Sequence, residues 1–325
     1  MRTRTLAVAL AVASAAAGLS LTLAPTASAA TSATDDFNGD GVADLVVATP
    51  NAPVDGYTDL VVGTPGDSVP YSSSYGTVTV LWGGPSGLTG DGLQEVWLSD
   101  PGADATGANE APTVSTAAGD IDGDGYADLV TGHVPASATT SGEYADAAGF
   151  VHVRYGSAQG LGAQRTATFE APGGSRAGDN FGASVAVGDV TGDGYADVAA
   201  GAPGATVRGV PGTGATVLLK GSATGLTDAG AQVFHQDTDG VPGTGEADDW
   251  FGSAVALTDV DGDGRADLTV AAKGEDTADG TARDGADWVL RGTAAGLTVA
   301  GATSFGAASF GLTYPNAEFG SVLGG

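Results

Sequence analysis

The sequence predicts an all-β protein, a β-propeller of four-stranded antiparallel blades. Three observations predict it: a period of about 70 residues, an acidic glycine-bearing loop that recurs once per period, and short β-prone runs on either side of fixed glycine markers. Asp120-Ile121-Asp122-Gly123-Asp124-Gly125-Tyr126-Ala127-Asp128 returns at Asp189-Val190-Thr191-Gly192-Asp193-Gly194-Tyr195-Ala196-Asp197. It returns again at Asp259-Val260-Asp261-Gly262-Asp263-Gly264-Arg265-Ala266-Asp267, so the offsets are 69 and 70 residues. A further complete copy is Asp36-Phe37-Asn38-Gly39-Asp40-Gly41-Val42-Ala43-Asp44. A degraded copy, Asn51 to Asp59, carries Pro53 where a polar side chain belongs.

Each period is expected to hold four strands. Strand A follows Phe-Gly at Phe181-Gly182 and Phe251-Gly252, and the same dipeptide appears once more at Phe319-Gly320. Strand B follows the acidic loop. Strand C covers the runs Thr77 to Trp82, Phe150 to Tyr155, Ala215 to Lys220 and Asp287 to Arg291. Each run leads into a Gly-x-x-x-Gly-Leu hairpin connection, beginning at Gly83, Gly156, Gly221 and Gly292. Strand D follows, around Val96, Phe169, Phe234 and Phe305. About four repeats result, as a closed ring or a partial propeller. The favoured reading is a ring in which the segment from Phe319 to Gly325 supplies strand A for the strands near residues 59 to 98. The competing assignment gives that place to Leu45–Thr49.

Charge and composition narrow the function. Thirty-nine acidic residues against eleven basic ones give a formal net charge of −28, which repels phosphate backbones and excludes nucleic acid as a partner. The 42% hydrophobic content argues for a folded chain rather than an acidic tail. No cysteine is present, so neither disulfides nor thiolate metal sites brace it. Arg2 and Arg4, an apolar run from Leu6 to Ala24, and Ala27-Ser28-Ala29 read as a secretory signal peptide over residues 1–29. Residues 30–325 then form the propeller domain, secreted and extracellular, with no membrane span after cleavage. Loss of the two arginines takes the formal charge to −30.

The acidic loops carry the chemistry. Oxygen side chains at positions 1, 3, 5 and 9, with the backbone carbonyl of position 7, can wrap one hard cation, and glycine at position 6 allows the turn. The predicted calcium ligands are therefore Asp36, Asn38, Asp40, Val42 and Asp44; Asp120, Asp122, Asp124, Tyr126 and Asp128; Asp189, Thr191, Asp193, Tyr195 and Asp197; and Asp259, Asp261, Asp263, Arg265 and Asp267. Position 7 contributes through its main chain. An EF-hand would put a bidentate Glu at position 12, where these loops have Val47, Thr131, Ala200 and Val270. About four Ca2+ ions are expected. Asp-Gly pairs also form tight turns without metal. Repetition of three or four carboxylates within nine residues favours the ion, because their mutual repulsion needs a countercharge.

Taken together, Phe-Gly, the acidic loop and Gly201-Ala202-Pro203 resemble the FG-GAP repeat, the blade unit of the integrin alpha-chain N-terminal propeller and of many secreted bacterial proteins. The match is strongest from Phe181 to Pro203; Pro112-Thr113 stands where Phe-Gly is expected. The resemblance implies calcium in the A-to-B loops and a role in extracellular adhesion or ligand binding, with a protein or a glycan as partner. A lectin is the alternative. A hydrolase with an inter-blade site is a more distant one, and the chain is read as a non-enzyme. His133, His152 and His235 have no metal-binding spacing, and Gly66-Asp67-Ser68, similar to a hydrolase nucleophile segment, lacks an Asp-x-x-His partner and reads as a loop. Tyr71, Tyr75, Tyr144 and Trp250 are candidates for stacking on sugars.

Overall fold

The computed structural model describes residues 45–48, 60–64, 77–82, 89–97, 113–134, 148–157, 161, 165–276, 283–312 and 318–323. The expected signal peptide, the loop Asp36–Asp44 and the degraded loop Asn51–Asp59 lie outside the described residues. The chain divides into two compact units, residues 1–100 and 101–325.

The first unit holds one sheet, β1 (Leu45–Ala48), β2 (Leu60–Thr64), β3 (Thr77–Trp82) and β4 (Thr89–Trp97), antiparallel and in chain order. This corrects the pairing expected for the chain's end. Strand A of the first sheet is β1, with Leu45 opposite Gly63 and Ala48 opposite Leu60. The apolar run after the first acidic loop is long enough to pair locally, so the C-terminal segment is not needed there.

The second unit holds three sheets with the same order. They are β5 (Thr113–Gly119) to β8 (Thr166–Phe169) through β6 (Asp128–His133) and β7 (Phe150–Arg154); β9 (Ser184–Gly188) to β12 (Thr227–Phe234) through β10 (Asp197–Ala202) and β11 (Ala215–Lys220); and β13 (Phe251–Thr258) to β16 (Gly296–Gly306) through β14 (Asp267–Ala272) and β15 (Ala286–Thr293). The four strands expected per period are thus present, and each C–D hairpin arises where the glycine marker was read. In three sheets that hairpin carries a register shift centred on Leu81, Leu219 or Leu290, and all three leucines are buried. Strand D has four residues opposite that single leucine, and such an irregularity increases the local twist.

The middle sheet of the unit is covered on both faces. Val198, Ala200, Val217 and Leu219 join the core shared with β5–β8, whereas Ala199 and Leu218 join the core shared with β13–β16. Strand B therefore reads as a continuous small apolar run, Asp-Val-Ala-Ala-Gly-Ala, and every residue of it is buried. Small side chains are needed because two sheets approach it at once.

Phe-Gly forms the joint between sheets. Phe181 and Phe251 are fully buried, and Phe251 meets Trp288 edge to face at 5.3 Å. The following glycines, Gly182 and Gly252, have φ of 90° and 89° and lie against the Phe150 and Ala215 carbonyls of the preceding sheet, leaving no space for a side chain. Their own carbonyls accept Ser115 Oγ at 2.8 Å and Ser184 Oγ at 2.9 Å, directly over Gly132 and Gly201. Phe319-Gly320 docks in the equivalent way on β13–β16. Its Phe319 N–H donates to the Asp284 carbonyl at 2.7 Å, and its ring stacks near Phe305 and Phe310. Residues 318–323 form turns there rather than a strand.

Candidate metal centre

Each described acidic loop joins strands A and B at the same end of its sheet. In all three the first aspartate folds the loop onto itself. Asp120 accepts from the N–H groups of Gly123 (2.7 Å) and Gly125 (3.0 Å), Asp189 from Gly192 (2.6 Å) and Gly194 (2.8 Å), and Asp259 from Gly262 (2.7 Å) and Gly264 (2.9 Å). The position-5 carboxylates accept from the position-7 amides, Asp124 from Tyr126, Asp193 from Tyr195 and Asp263 from Arg265. These short side-chain-to-backbone bonds turn the remaining oxygens toward one another.

The carboxylates converge. Oxygens of Asp120, Asp122 and Asp124 all lie within 4.8 Å of one another, and so do those of Asp259, Asp261 and Asp267. That spacing suits oxygens placed around one ion at the ~2.3–2.6 Å of calcium coordination. The donor set is all oxygen, which fits a hard cation rather than a soft one. In the middle loop Thr191 replaces the position-3 carboxylate, and its hydroxyl reaches Asp189 at 3.5 Å. Asp189, Asp193 and Asp197 are not among the carboxylate trios that converge in the described residues, and neither Asp128 nor Asp263 belongs to the trio of its own loop.

Electrostatics point the same way. Burial, then the Asp124 charge, raises Asp122 above the ordinary carboxylate range, and the Arg165 guanidinium only partly opposes this. Burial pushes Asp128 up to about 7 and Asp197 up to about 6, against the lowering effect of their backbone hydrogen bonds. Asp259 is exposed and held low by the amides of Gly264, Gly262 and Asp263. Arginines contact four of these carboxylates: Arg165 touches Asp122, Arg291 touches Asp261 and reaches Asp267 at 3.7 Å, and Arg265 reaches Asp263 at 3.3 Å.

The ninth aspartate has a second task that sequence reading missed. Asp128, Asp197 and Asp267 are at most 1% exposed. One oxygen of each accepts from the loop's second residue: Ile121 at 2.9 Å, Val190 at 3.1 Å and Val260 at 3.2 Å. The other accepts from the first glycine of the hairpin marker: Gly156 at 2.7 Å, Gly221 at 2.9 Å and Gly292 at 2.8 Å. A side chain at any of these glycines would collide with the carbonyl of Ala127, Ala196 or Ala266. The signal was present in the nearly constant separations of 28, 24 and 25 residues. Successive loops are also bonded together, Ala196 N–H to the Asp120 carbonyl (2.9 Å) and Ala266 N–H to that of Asp189 (2.8 Å). Tyr195 and Arg265 cover Gly123 and Gly192 of the loop before them. The three loops thus form one continuous acidic rim.

The FG-GAP repeat family matches residues 28–53, 181–219 and 251–290. The chain carries FG-GAP repeats at these three regions. Its two markers prove to be one joint: the Phe-Gly of Phe251-Gly252 sits on the glycine of Gly201-Ala202-Pro203 in the repeat before. The FG-GAP matches leave out residues 113–169, where Phe-Gly is replaced, yet β5–β8 has the same order as the matched sheets. No curated protein matches the chain. Solved structures similar to it include the rhamnogalacturonan lyase PL11 of Bacillus licheniformis (16% identity, TM-score 0.37, covering 71% of this chain and 41% of that one). Two others are the exotype rhamnogalacturonan lyase YesX (15%, 0.37, 71% and 39%) and the rhamnogalacturonan lyase YesW (14%, 0.35, 71% and 42%). The matched part thus spans about two fifths of each of these proteins.

The remaining candidates take structural places or fall outside the described residues. His133 stacks on Phe150 at 4.7 Å and bonds Thr131 Oγ1 at 2.8 Å; His152 bonds Thr168 Oγ1 at 2.9 Å, and burial pushes it down to about 3. Trp250 lies under Lys273 (5.2 Å) and Arg283 (4.4 Å). Tyr71, Tyr75, Tyr144 and the Gly66-Asp67-Ser68 segment lie outside the described residues. Among the described residues no helix is long and apolar enough to cross a membrane.

Proposed function

We propose that the chain is a secreted, calcium-stabilised β-propeller serving as an extracellular adhesion or ligand-binding module rather than an enzyme. The observation that carries the calcium reading is the continuous rim of acidic loops with converging, partly buried carboxylates. Bound calcium supplies the positive charge; the chain's own work is to fold each loop around its first aspartate and to fix its end through the ninth. The FG-GAP repeats support blades arranged as a propeller, with the aligned sheets of residues 113–306 as consecutive blades. The short apolar-to-small cleavage pattern at Ala27-Ser28-Ala29 supports export, into surroundings where calcium is plentiful.

Calcium titration tests the reading. For a dissociation constant of ~0.1 mM and ~1 mM free ion, linkage gives about 1.4 kcal/mol per site, hence roughly 4 kcal/mol from the three described loops and 5 to 6 with the loop at Asp36. EDTA should then lower Tm by roughly 10–20 °C, and magnesium should restore little of it. Ion counting should find about one ion lost in each of Asp124→Asn, Asp193→Asn and Asp263→Asn, and none in Asp55→Asn. An unchanged melting curve in EDTA would remove the calcium reading. A glycan array beside a panel of immobilised extracellular proteins separates the lectin alternative from protein adhesion.

A further inference from the structure

The two faces of the β5–β8 sheet differ in chemistry. Val130, Val151 and Val153 enter the core shared with β9–β12. Side chains alternate along a strand, so Thr116, Thr131, His133, His152 and Arg154 lie together on the other face. The same face of the two following sheets is apolar. Counted from the acidic loop or from the first hairpin glycine, Thr116 corresponds to Val185 and Val255, Thr131 to Ala200 and Val270, His133 to Ala202 and Ala272, and His152 to Val217 and Trp288. Arg154 stands two residues before Gly156. At that place the other three sheets have Leu81, Leu219 and Leu290, none more than 3% exposed. The fold therefore takes a buried leucine here, and in this sheet alone an arginine has replaced it, among polar neighbours that have also replaced apolar ones.

Arg154 is 7% exposed, and its Nη1 is shielded from water without a hydrogen-bond partner. Among the described residues no carboxylate forms an ion pair with it. The buried carboxylate of this sheet, Asp128, is already committed to the N–H groups of Ile121 and Gly156. The near neighbour is His152, which burial first and the Arg154 charge second push down to about 3, and whose Nδ1 bonds Thr168 Oγ1 at 2.9 Å. A neutral ring supplies no countercharge. A buried guanidinium left without one is strongly unfavourable, and a leucine at the same place carries no such penalty.

We propose that Arg154 anchors an anion site on this face of the β5–β8 sheet and takes the carboxylate of a small ligand. The planar guanidinium offers parallel N–H donors that match the two oxygens of a carboxylate, and its single positive charge balances a single negative one. Phosphate carries more charge at neutral pH than one guanidinium offsets, which disfavours it in a buried place. Strand β8 ends the sheet, and Thr166, directly across from Arg154, is exposed, so the guanidinium lies one strand away from solvent. The net charge of −28 does not forbid an anion here, because salt screens exposed charges over about 8 Å whereas the guanidinium meets its ligand in contact. The site requires neither calcium in the acidic loops nor an adhesive role.

Acetate is the probe. The full chain is melted in sodium acetate and in sodium chloride of equal ionic strength at fixed free calcium, and contact with the acetate methyl group is read by saturation-transfer NMR. Acetate at about ten times its dissociation constant should raise Tm by roughly 3–6 °C over chloride, with saturation reaching the methyl group. Acetamide, of the same shape without the charge, should do neither. Arg154→Leu, which restores the residue of the other sheets, should fold, melt in chloride at or above the parent chain, and lose both acetate effects. Equal acetate effects in the parent and in the folded leucine variant would overturn the proposal, as would the lack of any acetate effect in the parent. A rise in Tm with phosphate but not with acetate would overturn the assignment to a carboxylate. Should the leucine variant not fold, Arg154→Met, which keeps an unbranched stem and removes the charge, is read by the same two measurements.

Discussion

Gly201→Ala tests the joint between the middle and last sheets of the second unit. Gly201 lies in a strand with an ordinary backbone, so the new methyl is penalised for its position and not its conformation. That position is within the van der Waals radii of the Gly252 carbonyl and of Ser184 Oγ. To admit it the carbonyl must withdraw, which breaks the 2.9 Å bond from Ser184 and disturbs the fully buried Phe251 beside it. The lost hydrogen bond is worth about 1 kcal/mol and overpacking about 1–3 kcal/mol. Reduced freedom of the unfolded chain returns about 0.5–1 kcal/mol. The net loss is about 1.5–3 kcal/mol, or a fall in Tm of roughly 3–10 °C for a unit of this size. The last sheet supplies a natural control. There Ala271 already occupies the position, and Ser253 Oγ turns to the Ala271 carbonyl at 3.2 Å. Ala271→Gly should therefore cost no more than about 1 kcal/mol, the usual price of a glycine in a strand. Scanning calorimetry of both variants decides the matter. If Gly201→Ala melts within a degree of the parent chain, the account of this joint is refuted.

Tyr155→Phe should cost about 1–3 kcal/mol, because the phenol oxygen accepts the buried Leu226 N–H at 2.8 Å; an unchanged urea midpoint would show that the amide finds another acceptor. Asp287, 4% exposed and pushed up to about 6 by burial, binds its proton more tightly folded than unfolded. Its ionisation therefore lowers stability as pH rises from ~4 to ~6, and Asp287→Asn should stabilise the chain at pH ~8 by about 2–3 kcal/mol while removing that slope; a destabilised variant at pH ~8 refutes this. His152 has the opposite sign. Its folded pKa of about 3 lies below the unfolded value, so stability is lost as pH falls from ~6.5, and His152→Gln should lessen acid sensitivity in urea titrations; an identical pH profile would count against it.

Much of this protein was readable from the chain because its periodic signals are local. The acidic loop, the β-prone run after it and the glycine hairpin each occupy a few consecutive residues, and backbone sterics with short side-chain bonds determine their form wherever they occur. Strands B, C and D emerged where Asp128–His133, Ala215–Lys220 and Thr227–Phe234 were expected, and the first and fifth aspartates fold their loops as their spacing requires. The choice of Leu45–Ala48 as the first strand A rested on a competition between two apolar segments, which only their pairing resolves. The second task of Asp128, Asp197 and Asp267 likewise depends on a glycine 24 to 28 residues away that closes against it after the sheet has formed. Gly132 and Gly201 look like ordinary strand glycines until the next sheet lays a carbonyl upon them. Gln236 and Glu275, 39 residues apart, have no common pattern in the sequence and meet only because the strands on which they follow end at the same rim. Local chemistry determined the parts of each repeat; burial between sheets decided which of their polar groups would be left facing one another.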